Sequence, residues 1–315
     1  MKVAILGVWH VHAGEYTEAA RAAGATVTGV WDENTAWRDA FAEKYAIPAY
    51  ATLDELLASD ADAVIVCTAT SAHTDCIVRA ARAGKDIFTE KVLALTEAEC
   101  HTIEAAVNEA GVRFTISYPW KFRPGQLALK AAVDAGRIGR VNFLRFRNCH
   151  NGSLAEWLPA HFYNKEECGG GAMVDLGAHG MYLTHWILGE PTGYASTFTH
   201  AACNEQEAAK NPDKLEDNAV TVMSFANGAI AINETGFVST ESPVMFEIGG
   251  EDGYLLFDGE KAYLSTSAEG KVELELPAPA ALPIERFIKG EEAPGCGMAE
   301  AIVLTRMMEG AYGAR

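Results

Sequence analysis

Three polar residues in two short motifs carry the chemistry this sequence offers. Lys91 closes the stretch Phe88-Thr89-Glu90-Lys91. Asp175 and His179 lie in Gly169-Gly170-Gly171-Ala172-Met173-Val174-Asp175-Leu176-Gly177-Ala178-His179. Asp175 and His179 are four residues apart, so on a helix they share one face. A lysine, a carboxylate and a histidine together could bind a hydroxyl group and remove its proton. His179 is the natural base, because an unperturbed imidazole titrates near neutrality. A charged Lys91 would stabilise a developing alkoxide, or polarise a carbonyl in the reverse direction. Asp175 would orient the hydroxyl, or pair with Lys91 and hold it charged. The three glycines would let the backbone approach a ligand closely. Each residue also has a plainer reading. Lys91 could be a surface charge, Asp175 a helix N-cap and His179 a hydrogen-bonded histidine facing another helix.

The elements that must position these residues fall into two patterns. Apolar runs at 3–6, 26–31, 63–68, 86–89 and 112–117 read as strands. Helical patterns at 13–23, 35–45, 73–83 and 96–110 separate them. Gly84 and Gly111 suit helix ends, and Thr96-x-x-Glu99 has the form of a capping box. This alternation predicts a doubly wound parallel sheet with helices on both faces. The pattern changes near Pro119. After a helix at 125–135 and the turn Gly136-Arg137-Ile138-Gly139, β-type runs dominate at 141–147, 219–225, 229–233, 244–248, 254–257 and 271–276. Short turns such as Ala226-Asn227-Gly228 join them and predict a large open, mostly antiparallel sheet. Helices at 173–188 and 298–312 and a short Pro/Ala linker at 277–281 complete this part. The expected fold class is therefore α/β, with a dinucleotide-binding domain over 1–119 and a substrate-binding and oligomerisation domain over 120–315.

Open parallel sheets bind ligands at the carboxyl ends of their strands. The first such end is Gly7-Val8-Trp9-His10-Val11-His12, where Trp9 and His12 stand at the second and third glycine positions of a dinucleotide fingerprint. Asp32 ends the second strand at about the expected distance further on. A carboxylate there accepts the ribose hydroxyls of an adenosine and repels a 2′-phosphate, which favours NAD over NADP; alternatively it caps the following helix. His10 and His12 form an H-x-H pair, but no nearby Cys or Glu completes a metal site at usual spacing. No metal is expected, and the imidazole and indole are placed near the phosphates or the substrate. Substrate recognition is expected from Tyr118, Trp120 and Lys121 after the fifth strand, and from Trp157, His161, Tyr163 and Lys165 before the glycines. Aromatic faces with a few polar groups suit a sugar or cyclic polyol.

Composition narrows the classes. The chain has 315 residues and a formal net charge of −18, which repels phosphate backbones and anionic membranes, so no nucleic-acid or membrane partner is expected. Seven cysteines, Cys67, Cys76, Cys100, Cys149, Cys168, Cys203 and Cys296, form no C-x-x-C pair and read as buried thiols of a reducing compartment. No signal peptide or transmembrane run appears, and a cytoplasmic location is expected.

Taken together the motifs resemble the Gfo/Idh/MocA family of nicotinamide-dependent oxidoreductases over nearly the whole chain. Ala69-Thr70-Ser71-Ala72-His73 is similar to the family's T-P-N-x-x-H. The segment Ala83-Gly84-Lys85-Asp86-Ile87-Phe88-Thr89-Glu90-Lys91 is similar to its A-G-K-H-V-x-x-E-K-P. Lys121-Phe122-Arg123-Pro124 resembles R-F-x-P, Gly136-Arg137-Ile138-Gly139-Arg140-Val141 resembles G-x-I-G-x-V, and 169–179 matches G-G-G-x-x-x-D-x-G-x-H. The last of these, coupled with Glu90-Lys91, is the specific part.

The resemblance implies an N-terminal Rossmann domain and a C-terminal α/β domain whose sheet makes a homodimer or homotetramer. It implies NAD or NADP as cofactor and a hydride transfer to or from a sugar, polyol or related hydroxy or carbonyl compound. The family's lysine, aspartate and histidine match Lys91, Asp175 and His179. The residues expected at the cofactor are Gly7, Trp9, His10, Val11, His12, Asp32, Thr68, Ala69, Thr70, His73, Glu90 and Lys91. Three positions depart from the family pattern: the glycine loop, Val92 in place of proline, and Tyr182 where an aspartate often follows the histidine. Two other classes share the fold. One is a lyase or glycoside hydrolase that uses bound NAD transiently; the other is a cofactor-binding regulatory protein without catalysis, which would be expected to lose the Lys/Asp/His set.

Overall fold

Strands β1 (Lys2–Leu6), β2 (Thr26–Trp31), β3 (Ala63–Val66), β4 (Asp86–Thr89) and β5 (Phe114–Ile116) form a parallel sheet in the order β2-β1-β3-β4-β5. The computed structural model describes residues 1–202 and 209–314, and these divide into two units. The five-stranded sheet belongs to the first, made of Met1–Tyr118 and Ala281–Thr305. All four residues of β3 are fully buried, as are Val3 to Leu6 of β1. Unbroken apolar runs of this kind mark strands covered on both faces. Helices α1 (Ala13–Ala22), α2 (Thr35–Tyr45), α3 (Leu53–Leu57), α4 (His73–Arg82) and α5 (Glu97–Ala110) make the connections. The Thr96–Glu99 capping box forms as expected, and Gly111 ends α5 at φ 64°. Helix α3 was not expected; it is little more than one turn, started by a second capping box at Thr52 and Glu55.

After residue 280 the chain returns to this unit, a segment that a linear division at 119/120 assigns to the other domain. The helix Pro283–Lys289 places Phe287 5.8 Å from Phe88, whose ring also lies 5.1 Å from Tyr16. Arg113 stacks over Phe287 at 5.0 Å and donates to its carbonyl at 3.2 Å. The helix Met298–Gly313 begins in this unit and ends in the other.

The second unit holds residues 119–280 and the chain end from Arg306. Its strands are β6 (Val141–Cys149), β7 (Gly193–Thr199), β8 (Asn218–Ser224), β9 (Ile230–Gly236), β10 (Met245–Gly250), β11 (Gly253–Phe257), β12 (Ala262–Thr266) and β13 (Gly270–Leu274). Their order is β13-β12-β11-β10-β6-β9-β8-β7. Only the β6–β9 pairing is parallel, so the sheet is mixed and mostly antiparallel. Strands β7 and β12 escape the sequence pattern because serine and threonine break their apolar runs. One face of the sheet is core, with Leu144, Phe146, Met223, Ala231, Phe246 and Ile248 fully buried. Helices α6 (Pro124–Asp134), α7 (Lys165–Cys168) and α8 (Ala178–Leu188) belong to this unit. On the opposite face Val220, Val222 and Ile230 are 36–46% exposed. Beside them Glu234 pairs with both Arg145 and Arg147 at 2.8 Å.

Cys203 lies outside the described residues. Of the six other cysteines five are buried. Among the described residues no helix is long and apolar enough to cross a membrane.

Candidate active site

The sheet order reverses between β1 and β3, and ligands of open α/β sheets settle at such a switch point. Gly7 ends β1 at φ 86°, and a Cβ there would lie 2.4 Å from Thr68 Cγ2 and 2.6 Å from the Thr68 nitrogen. Thr68 Oγ1 is buried without a hydrogen-bond partner among the described residues. Asp32, 7% exposed, accepts the backbone N–H of Val8 at 2.6 Å and of Asn34 at 2.7 Å. Burial outweighs these two bonds and raises its pKa above the usual carboxylate value. Capping of α2 falls to Asn34, whose side chain accepts from Trp37 N–H. Glycine, unsatisfied hydroxyl and carboxylate at three neighbouring strand ends fit a dinucleotide. Ala69 and Thr70 follow in a 3₁₀ turn, both partly exposed.

The loop after β1 does not present itself as a glycine loop. Trp9 is turned inward at 9% exposure, while Val11 is 54% exposed. The His10 amide donates to the Cys67 carbonyl at 3.0 Å. Both imidazoles turn toward Glu90. His12 Nδ1 lies 3.1 Å from Glu90 Oε2, and the ligand atoms of His10, His12 and Glu90 lie within 4.8 Å of one another. Glu90 is 2% exposed. It also takes the hydroxyl of Tyr16, whose oxygen lies 2.7 Å from Ser117 Oγ. Burial works against the Glu90 charge, yet the charges of His10 and His12 overcome it and hold the pKa well below the usual value. Burial likewise opposes a charge on His12, but the adjacent carboxylate prevails and raises its pKa. Tyr16 and Ser117 were not foreseen: Tyr16 sits mid-helix and Ser117 at a strand end, and neither lies in a motif.

Lys91 follows Glu90 and is 5% exposed, so it is not a surface charge. The peptide joining it to Val92 is cis. His73 and Tyr118 are built into the first unit. His73, 1% exposed, has Nδ1 3.1 Å from the carbonyls of Val92 and Leu93 and Nε2 3.2 Å from that of Thr68. Burial lowers its pKa, and its ring N–H donates to a carbonyl past the end of β3 or of β4 according to the tautomer. Tyr118 is fully buried and donates to the Glu300 carbonyl at 3.2 Å.

In the second unit Met173–Gly177 forms a π-helical turn that leads into α8. Asp175 lies in the wider turn and His179 in α8, so the regular i,i+4 face expected for the pair is replaced by this junction. His179 is 6% exposed; its Nδ1 is 2.9 Å from the Tyr182 hydroxyl, and its ring centroid is 5.5 Å from that of Trp120. The Trp120 amide donates to the Tyr182 oxygen at 3.2 Å. Lys121 is 3% exposed, its ammonium 5.9 Å from the Tyr182 ring and 6.0 Å from that of Trp186. Arg123 lies 3.7 Å over Trp120.

Asp175 has a partner that the motif does not reveal. Burial lowers the pKa of His150, and the charge of Asp175 opposes that effect. His150 stacks on Phe237 at 4.8 Å and lies 4.6 Å from Trp157. Trp157 is 54% exposed, and its indole donates to Asn151 at 3.0 Å. Tyr163 is buried against Ser153 at 2.6 Å, and His161 lies 5.1 Å from Phe162 in the same short turn. Lys165 opens α7, which is capped by Asn164.

The glycines before Asp175 act differently from expectation. A Cβ on Gly170 would lie 1.9 Å from the Tyr312 hydroxyl, and one on Gly171 would lie 2.0 Å from the Glu216 carbonyl oxygen. Protein, not ligand, fills that space. Glu216 Oε1 accepts from Gly171 N–H at 2.8 Å, Met173 N–H at 3.3 Å and the Tyr312 hydroxyl at 2.6 Å. Gly180 is similarly close-packed: its Cβ would lie 2.0 Å from Asn233 Oδ1, and Asn233 donates to the Gly177 carbonyl at 2.7 Å.

A Rossmann unit followed by an α/β unit with an open sheet defines a two-domain class of dinucleotide-dependent enzymes. Residues 1–118 match the oxidoreductase family with an NAD-binding Rossmann fold, and residues 126–256 match the GFO/IDH/MocA C-terminal domain. The chain belongs to the Gfo/Idh/MocA family of NAD(P)-binding oxidoreductases. It is 28% identical to 1,5-anhydro-D-fructose reductase of Ensifer adhaerens over 244 residues, 76% of this chain and 70% of that protein. It is 29% identical to inositol 2-dehydrogenase of Rhizobium meliloti (strain 1021) over 253 residues, 74% of this chain and 73% of that protein. The fold matches levoglucosan dehydrogenase in complex with NADH and levoglucosan at a TM-score of 0.85 and 17% identity, covering 100% of this chain and 96% of that one.

The close packing of Gly171 can be tested directly. Gly171→Ala forces a methyl group into the Glu216 backbone and should destabilise the protein by about 1–3 kcal/mol, the usual cost of overpacking. An unchanged urea midpoint and slope would show that the backbone there is not held as described.

Proposed function

We propose that this protein oxidises a secondary alcohol of a sugar or cyclic polyol, or reduces the corresponding ketone, with a nicotinamide dinucleotide. Family membership supports an oxidoreductase, and relatives named for anhydrofructose, inositol and levoglucosan support a cyclic polyhydroxylated substrate. The observation that carries the reading is Lys91, buried just past β4 beside an ionised Glu90. A buried ammonium next to a matched carboxylate is a positioned charge rather than a solubilising one. We take the first unit as the cofactor-binding domain and the second as the substrate-binding domain.

Gly7, Asp32 and Thr68 would hold the dinucleotide, whose nicotinamide supplies the hydride acceptor or donor when bound. The protein's own part is proton handling and orientation. For His179 to take the hydroxyl proton at Nε2, its Nδ1 must keep a hydrogen. That hydrogen is donated to the Tyr182 oxygen, which already accepts the Trp120 amide. Two donors on one phenol oxygen fix the ring plane of His179. Lys91 stabilises the alkoxide oxygen. Asp175, beside His150, orients a hydroxyl of the substrate, and the exposed face of Trp157 suits a sugar ring.

Cofactor choice follows from Asp32. Like charges about 4 Å apart cost on the order of 1 kcal/mol even in a water-like medium, so NAD should bind several-fold more tightly than NADP. Asp32→Ala should narrow that gap in a calorimetric titration. Equal affinities in the unsubstituted protein would remove the role given to Asp32.

Assembly follows from the open sheet face. Val220, Val222 and Ile230 lie half-exposed on it, and a symmetric partner is the commonest cover for such a surface. Light scattering at micromolar concentration should give a dimer or tetramer, and a monomer mass would contradict this.

The catalytic assignment makes the strongest demand. Lys91→Ala should lower turnover about 10²–10³-fold, as for loss of an oxyanion-type donor. His179→Ala should lower it about 10²–10⁴-fold, as for loss of a general base. Both should leave NAD affinity nearly unchanged. Near-normal turnover in either variant would overturn the role of that residue.

A further inference from the structure

We propose that His10, His12 and Glu90 form a binding site for one divalent transition-metal cation of the zinc class. Their ligand atoms lie within 4.8 Å of one another, with Glu90 and His10 buried and His12 at the rim. Two imidazole nitrogens and one carboxylate oxygen suit zinc and its neighbours rather than calcium or magnesium, which prefer all-oxygen shells. Bonds of roughly 2.0–2.2 Å in a tetrahedral shell put donor atoms about 3.3–3.5 Å apart. The 3.1 Å between His12 Nδ1 and Glu90 Oε2 is already of that size, so the remaining contraction from 4.8 Å is about 1.3–1.5 Å and falls within side-chain rotation.

The surroundings have the form of an outer shell. Tyr16 donates its hydroxyl to the carboxylate, with Ser117 Oγ 2.7 Å behind it. Such partners orient ligating carboxylates at metal centres. The His12 side chain is 30% exposed, which leaves an entry path and an open coordination position. Binding asks one rearrangement. His10 Nδ1 now accepts the His12 amide at 3.2 Å. Ligation through Nε2 would put a hydrogen on Nδ1 and release that amide; ligation through Nδ1 would replace the amide with the ion. The Lys91 ammonium opposes the ion, and the Glu90 carboxylate attracts it at shorter range. The consequence is local: the ion would tie the loop after β1, which lacks the usual glycines, to the residue past the end of β4.

The test uses the whole protein, stripped with a chelator and titrated with Co²⁺ alone. One equivalent should produce visible ligand-field absorption that an equivalent of Zn²⁺ abolishes. His12→Ala, at the exposed rim, should weaken Co²⁺ binding by more than about 100-fold. Tyr16→Phe should weaken it roughly 10–100-fold, the usual effect of losing an outer-shell partner. His101→Ala removes a surface histidine flanked by Glu97 and Glu104 and should leave the spectrum unchanged. Absence of ligand-field bands in the unsubstituted protein overturns the proposal. So do bands that persist in His12→Ala or vanish in His101→Ala.

Discussion

Glu90 carries a negative charge that the first unit has to accommodate out of water. Removing a carboxylate from solvent costs several kcal/mol unless charges and hydrogen bonds match it. Here the match comes from three places in the chain: His10 and His12 after β1, Tyr16 on α1, and Lys91 beside it. Those groups cannot be supplied by a glycine loop. The imidazoles of His10 and His12 therefore turn toward Glu90, and the nearby strand ends are left to Gly7, Thr68 and Asp32. His73 adds a second constraint: its buried ring lies between the carbonyls of Thr68, Val92 and Leu93 and donates its N–H to one side. The backbone on either side of Lys91 is thus held by neighbouring groups, which is what a positioned ammonium requires.

A different carboxylate organises the second unit. Glu216 gathers two backbone N–H groups of the glycine segment and the Tyr312 hydroxyl. This pins the entry to the π-turn that carries Asp175 and the helix that carries His179. The glycines are there because Tyr312 and the Glu216 backbone occupy the space a side chain would need. Tyr182, buried at 2% exposure, then couples His179 to the backbone of Trp120. One phenol thus sets the position of the His179 ring.

Most of the fold was legible because its periods are clean. Alternating apolar runs and capped helices announced the parallel sheet, and runs joined by Gly turns announced the mixed one. Strands β7 and β12 were hidden by serine and threonine, and α3 by its length. The return of 283–289 to the first unit was hidden because nothing local in that segment encodes contact with Phe88. Motif and spacing alone singled out Lys91, Asp175 and His179 as candidates. The union of His10 and His12 with Glu90 was not, because Glu90 lies 78 residues beyond His12 and only the β1–β3–β4 order brings them together. His150 was equally silent, since it ends a strand with no motif around it. Glycines were legible as needed but not for what purpose, because a glycine that admits a ligand and one that admits a tyrosine look the same in a sequence.

The claim that this chain transfers a hydride to or from a cyclic polyol is tested most directly by isotope. The protein would be incubated with NAD and a panel of inositols and sugars bearing deuterium at their carbinol carbons. The reduced cofactor would be recovered and weighed by mass spectrometry. The account predicts one deuterium per reduced cofactor, in amounts that match the ketone formed. Conversion of a substrate with no net reduced cofactor and no deuterium leaving the sugar would contradict it, and would point instead to a reaction that borrows the hydride and returns it.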